Sequence, residues 1–352
     1  MPRNLFPLAR RALKELVTVW RSPRKRAAFN SSWNTHELYR QRLRLRSYPT
    51  QMILNPSTVC NLACPLCATG IQSANFPKEI LAPEAFEAIM SHVRIDLLFG
   101  VQLFHWGEPL LNPHLAQYIR DFHERGVVTT VSSNLSTAQY DEDFLESLVR
   151  SGLDFLIASV DGATQEVYQV YRVGGDLARV VENMRRIYKV KQRLQSSTPT
   201  VFYRMLLNRF NETQAEQARQ MAEEVGATFW PDPTFGIPPE VYEHWVADSV
   251  KAAFGERPAT IYGFAPRRLI HTECRQLWDT LVVSPRGDIL PCCVVADQEW
   301  SIGNVLQDPL EKVWNNEKRQ ILRRYVTDAK ACAPGFPNMC STCSHRFCVF
   351  PN

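Results

Sequence analysis

No stretch of the 352 residues approaches the length and apolarity of a membrane-spanning helix, which argues against an α-helical integral membrane protein. The first residues are basic but have no continuous apolar core ahead of a small-residue cleavage site, so a secretory signal is not expected. Without export, a disulfide framework is not expected either, and a reducing, cytoplasmic location follows. Internal repeats and low-complexity tracts are also lacking. Acid is nearly absent from residues 1–46, which hold twelve Lys/Arg against Glu15 and Glu37, a net +10. The whole chain is only +4, so the remainder is −6. A net basic charge confined to one end, with the rest of the chain acidic, argues against a nucleic-acid partner.

Hydrophobic residues make up 45% and charged residues 22%, enough apolar matter for a sizeable soluble core. Ten cysteines are many for a reducing compartment unless they hold metal. Near the N-terminus, Leu5, Ala9, Ala12, Leu13, Leu16 and Trp20 fall at helical spacing, with Arg10, Arg11 and Lys14 on other faces. The segment reads either as a helix packed on the core or as a basic amphipathic helix. In the second case residues 1–24 would make a peripheral contact with an anionic membrane.

From residue 50, strand-like runs (51–54, 97–104, 127–132, 155–160, 200–207, 228–230) alternate with helix-like stretches (83–93, 113–125, 143–150, 177–194, 212–225). Repeated β–α units predict an α/β fold with a mainly parallel sheet. Gly126, Gly152 and Gly226 stand where helices should stop. The rhythm breaks near Pro231, and a hairpin is expected over 282–290 with its turn at Pro285–Asp288. A helix near 309–325 and a cysteine-rich tail follow. Three regions result: a basic helical extension (1–48), a β/α core (49–235) and a small α+β metal-dependent module (236–352).

Directly after the run Gln51-Met52-Ile53-Leu54 come Cys60-Asn61-Leu62-Ala63-Cys64-Pro65-Leu66-Cys67. A closed structural zinc site wants four protein ligands. Three thiolates can hold three corners of a cubane iron–sulfur cluster, leaving one iron open. Further candidates follow later strands: His105-Trp106-Gly107-Glu108-Pro109, Ser133-Asn134, Ser159-Val160-Asp161-Gly162 and Tyr171-Arg172-Val173-Gly174-Gly175. All fall at strand ends, where parallel sheets bind ligands. His105 reads as a packed strand-end histidine rather than a base.

With these elements in order over residues 50–230, the chain resembles the radical S-adenosylmethionine (SAM) superfamily, Trp106 replacing the first glycine of its Gly-Gly-Glu-Pro element. The resemblance implies a partial (β/α)6 barrel. It further implies that Cys60, Cys64 and Cys67 hold a catalytic [4Fe-4S] cluster whose open iron is chelated by SAM. Glu108 and the backbone of Trp106, Gly107 and Pro109 would then receive the SAM ammonium. Ser159, Asp161 and Arg172 would meet the ribose hydroxyls and carboxylate, Asn134 would add a polar contact, and Leu66 would pack on the adenine. An electron from a low-potential donor, a flavodoxin or ferredoxin, would cleave SAM reductively to a 5′-deoxyadenosyl radical that abstracts hydrogen from a substrate C–H bond.

Cys274, Gly287, Cys292, Cys340 and Cys343 resemble the SPASM and twitch iron–sulfur modules of that superfamily. The implied ligands of one auxiliary [4Fe-4S] cluster are Cys274, Cys292, Cys340 and Cys343; a zinc ribbon is the plain alternative. The two-cluster form has further cysteines after its Cys-x5-Cys, and here only Cys348 follows. Cys293, Cys332 and Cys348 stay unassigned, as buried thiols, spare ligands or hydrogen donors. The expected function is oxidation or epimerisation of a small metabolite or carbohydrate by an oxidoreductase or epimerase-type enzyme, with maturation of a ribosomal peptide or protein as the alternative and non-catalytic iron–sulfur or zinc binding as the reading from another class.

Overall fold

The computed structural model describes residues 22–71, 77–137, 140–233, 241–254 and 274–327. Six strands run parallel: β1 (Gln51–Leu54), β2 (Gly100–Gln102), β3 (Val128–Ser133), β4 (Phe155–Ser159), β5 (Thr200–Leu207) and β6 (Thr228–Pro233). They lie in sequential order, as right-handed β–α crossovers produce, and among the described residues β6 has no further neighbour, so the barrel is partial. Helices Pro83–His92, Leu115–Glu124, Glu142–Arg150, Leu177–Arg193 and Ala215–Glu224 connect them. Pro83 occupies the first turn of its helix, and Asp141 caps the next but one through Phe144 N at 2.7 Å. A helix at Gln165–Tyr171, not apparent in the sequence pattern, precedes the Arg172 turn.

Strand parity sorts the sheet's two faces. Val131, Ala158, Tyr203 and Met205 point into the helices and are fully buried. The alternate residues face the other way, and register sets Gln102 beside Thr130, Ser132 beside Ile157, Ser159 beside Arg204 and Arg204 beside Trp230. Most of these are only half-buried, so this concave face opens on the strand ends where the sequence motifs gather.

The C-terminal hairpin does not stand apart. β7 (Thr280–Val283) pairs in parallel with β1, and β8 (Asp288–Leu290) and β9 (Gly303–Asn304) continue the sheet antiparallel. One nine-stranded sheet, ordered β6-β5-β4-β3-β2-β1-β7-β8-β9, therefore joins barrel and module.

The Pro23–Tyr39 helix and the strap after it are clamped onto the module. Asn34 Nδ2 donates to Trp278 O (2.6 Å), Trp278 Nε1 to Arg42 O (2.9 Å) and Trp314 Nε1 to Ser47 O (3.0 Å). The amphipathic stretch Leu5–Trp20 lies outside the described residues, as do Cys332, Cys340, Cys343 and Cys348. No helix among the described residues is long and apolar enough to cross a membrane.

Candidate active site

The cysteine loop begins six residues beyond β1 and closes on itself: Cys67 N donates to Cys64 O (3.1 Å) and Ile71 N to Cys67 O (3.0 Å). Cys60, Cys64, Leu62 and Leu66 share an apolar cluster with Tyr171, Trp245 and Phe210. Burial pushes the Cys60 thiol up to about 11, and Glu108, Cys64 and Cys67 add to the rise against the Leu62 N–H. Burial raises Cys64 too, with Arg172 opposing. Two buried thiols so placed, Cys60 and Cys64, ionise together only when a cation shares their charge. Donors already surround two of the sulfurs: Leu62 N (3.4 Å) and Asn134 Nδ2 (3.8 Å) face Cys60, and Arg172 Nη1 (3.8 Å) faces Cys64. That donor set suits an anionic thiolate-ligated cluster. No three His, Cys, Asp or Glu side chains among the described residues converge as a single-ion site requires, whereas thiolates on separate corners of a cubane need not.

Gly107 brings the loop after β2 against the approach to Cys60. Its φ is +111°, and a Cβ there would lie 2.1 Å from Ser57 O, so only glycine fits. Glu108 N then donates to Val59 O (2.8 Å). The Glu108 carboxylate is buried and accepts from Ser133 Oγ (2.7 Å), Asn134 N (2.8 Å) and Leu110 N (3.0 Å). Burial raises its pKa, while these donors and Arg172 pull it down. Glu108 thus fixes the ends of β2 and β3 to each other, beside the cysteine loop.

Arg172 Nε donates to Asp161 Oδ2 at 2.5 Å, and Leu206 N donates to Asp161 Oδ1 at 2.7 Å. Both Asp161 oxygens are therefore engaged in orienting Arg172 and the end of β5. Next to Arg172, Val173 O accepts from Ala63 N (3.0 Å), which ties this turn to the cysteine loop. Ser159 Oγ lies 3.3 Å from Ser132 Oγ on the concave face. Leu66 packs within the apolar cluster. Cys60, Cys64, Cys67, Leu66, Glu108, Asn134, Asp161 and Arg172 thus come together around one loop, with Ser159 at the neighbouring strand end.

One pair escaped the sequence reading. Arg204 Nε donates to buried Asp232 Oδ2 (2.7 Å), and its guanidinium lies 5.4 Å from the Trp230 ring centroid. Counting alternate positions back from the core residues Tyr203 and Met205 would have placed Arg204 on the concave face.

In the module, Gln276 holds both ends of Cys293: its Nε2 donates to Sγ (2.8 Å) and its Oε1 accepts from the backbone N (2.9 Å). This draws the segment after Cys274 to the Cys292–Cys293 turn. His105 and Trp106 then bolt that turn to the barrel. Trp106 Nε1 donates to Val295 O (3.2 Å), and His105 Nε2 lies 2.7 Å from Cys293 O. A carbonyl only accepts, so His105 carries its proton on Nε2, as a packed, neutral ring. Burial lowers its pKa to about 4, whereas an unfolded histidine titrates at about 6.5. The stability it carries is complete above that pH and is lost as pH falls from about 6.5 toward 4. His105→Gln is expected to flatten this part of the curve by on the order of 2 kcal/mol. Anaerobic urea unfolding between pH 7 and 4.5 measures it, and an unaltered slope would refute the assignment.

Residues 54–222 match the radical SAM superfamily, and residues 274–344 match the SPASM iron–sulfur cluster-binding domain. Among solved structures, SuiB from Streptococcus suis is 15% identical, covering 90% of this chain and 75% of that one with a TM-score of 0.60. Its form bound to S-adenosylmethionine gives 14%, 90%, 73% and 0.58. The enzyme anSMEcpe with bound AdoMet is 15% identical, covering 80% of this chain and 81% of that one with a TM-score of 0.54. At these identities the likeness is one of fold.

Proposed function

Starting from a chain that belongs to the radical SAM superfamily and carries a SPASM iron–sulfur domain, we propose that it oxidises or epimerises a hydroxylated small molecule, such as a carbohydrate, at a C–H bond. The observation that carries this reading is the set of polar groups on the concave face, where Gln102, Thr130, Ser132, Ser159 and the Arg204–Asp232 pair stand among Ile157, Phe202 and Trp230. Hydroxyl and charged groups beside apolar ring faces suit a hydroxylated ring, since each polar group must be matched by a partner once water leaves.

Cys60, Cys64 and Cys67 supply the three thiolates. When bound there, such a cluster would supply the electron for reductive cleavage of SAM, with 5′-deoxyadenosine as the product that carries the substrate hydrogen. The Trp106–Pro109 backbone would receive the SAM ammonium, and Glu108, buried and held by three donors, would position that stretch beside it. Arg172, oriented by Asp161, offers its planar fork to the carboxylate. Ser159 and Asn134 give polar contacts, and Leu66 packs on the adenine. The apolar cluster of Tyr171, Trp245 and Phe210 excludes water from the sulfur side. Cys274 and Cys292, with Cys340 and Cys343 from the tail, hold one auxiliary cluster.

A second reading, modification of a peptide, is favoured by the fold shared with SuiB, also solved with the precursor peptide SuiA, and with anSMEcpe, also solved with the Cp18Cys peptide. The test is isotope transfer. Reduced enzyme and SAM are incubated with C-deuterated hexoses and nucleotide sugars, and deuterium in 5′-deoxyadenosine is read by mass spectrometry. Transfer from a sugar supports the proposal; transfer from C-deuterated peptides alone overturns it. Arg204→Gln is expected to raise KM at least tenfold while SAM cleavage without substrate persists.

A further inference from the structure

Arg319 and Arg323 stand one turn apart on the Glu317–Thr327 helix, and both are fully buried. Their guanidinium carbons lie 3.8 and 5.1 Å from the Trp314 ring centroid. Arg319 donates to the carbonyls of Leu277 (3.2 Å), Gln276 (3.4 Å) and Thr280 (2.8 Å). Arg323 donates to Leu277 O (2.9 Å), Leu43 O (2.7 Å) and Asn315 Oδ1 (3.3 Å). Every one of these acceptors is neutral. Arg319 Nη1 and Arg323 Nη2 find no partner among the described residues.

The nearby acids are committed elsewhere. Asp279 accepts from Arg275 Nε and Thr280 Oγ1, and Glu37 accepts from Arg46 N, Ser47 N and Ser47 Oγ. Among the described residues neither buried cation has a hydrogen-bonded anion, and Asp279 and Glu37 act on them only through space, a costly arrangement that a further anion would relieve. Two of the carbonyls that hold Arg319, those of Gln276 and Leu277, belong to the turn right after Cys274, and Cys292, Asp279 and Cys274 all act electrostatically on its charge. A thiolate-ligated cluster on Cys274 and Cys292 would be such an anion.

We propose that Arg319 is the fixed counter-charge of the auxiliary cluster, its Nη1 donating to the thiolate-ligated centre, with Arg323 as a second cation behind it. A cluster gains negative charge on reduction, and a nearby cation and N–H donor favour that state and raise its potential. Arg319 is therefore a tuning residue that makes the auxiliary centre a better electron acceptor, in keeping with substrate oxidation. The inference rests on Cys274 and Cys292 being auxiliary ligands.

The test uses the full chain carrying Cys60→Ala, Cys64→Ala and Cys67→Ala, which leaves only the auxiliary centre. Redox titration followed by EPR is expected to show that Arg319→Gln shifts the reduced-to-oxidised ratio at least tenfold toward the oxidised form. For a one-electron couple that is about 59 mV downward. Arg319→Lys, which keeps the charge, should restore most of the shift. An unchanged midpoint in Arg319→Gln at full iron content overturns the inference alone. Loss of all iron from the background with Arg319 intact overturns the ligand assignment and the inference together. Should Arg319→Gln fail to fold, pulsed EPR of the background protein labelled with 15N-arginine decides: coupling of the reduced cluster to guanidinium nitrogen supports the assignment, and its absence overturns it.

Discussion

Replacing Cys60, Cys64 and Cys67 together by alanine is expected to abolish 5′-deoxyadenosine formation and to halve the iron, from about eight per chain to about four, as two four-iron clusters become one. The effect is total because the loop offers no substitute ligand. Among the described residues the nearest carboxylates are occupied, Glu108 by three donors and Asp161 by Arg172 and Leu206. The auxiliary centre, on thiols outside that loop, should keep its spectrum. Anaerobic reconstitution with iron assay and chromatography of SAM products checks both halves. Residual SAM cleavage in the variant would sink the mechanism, and iron near twelve in the unmodified protein would refute a single auxiliary cluster.

Arg172→Leu should be nearly as damaging for a different reason. The Asp161 side chain is wholly buried and that of Arg172 is 14% exposed. Removing the cation leaves a carboxylate buried with only the Leu206 N–H, and breaking such a pair costs about 3–5 kcal/mol. The same substitution removes the donor facing Cys64 and loosens the turn whose Val173 carbonyl anchors Ala63. We expect the anaerobic urea midpoint to fall in step with iron retention. Double replacement with Asp161→Asn should recover much of the stability but none of the activity. A single variant as stable as the parent would show that the pair contributes little.

The β/α rhythm was legible because alternation and helix stops are local. β1 and β5 fall where the sequence pattern puts them. β6 runs on to Pro233, past the expected end at Trp230, because pairing with β5 carries it through two prolines that local pattern treats as breakers. The cysteine, Gly-Glu-Pro and Ser-x-Asp-Gly elements were readable as motifs for the same local reason. The partners of those residues were not. That Asp161 holds Leu206 N while Glu108 holds Ser133 and Asn134 depends on strand ends far apart in sequence. Arg319 and Arg323 illustrate the limit most plainly. Arginines in the Lys318-Arg319 and Arg323-Arg324 pairs of a basic helix read as solvated, and only the turn of carbonyls at Gln276–Thr280 and the Trp314 ring make a buried site for Arg319 and Arg323.

Pairing of β1 with β7 also sets an order of events during synthesis. Gln51 lies beside Thr280 and Leu54 beside Val283, so one edge of the strand that leads into the cysteine loop stays unpaired until the ribosome has made most of the chain. At about 5–20 residues per second that wait is on the order of ten seconds or more. During it, an open strand edge and three thiols are exposed together, a hazard for aggregation and oxidation alike. The nascent polypeptide, rather than the finished enzyme, is the stage at which protection by a chaperone or an iron–sulfur carrier has the most to act on.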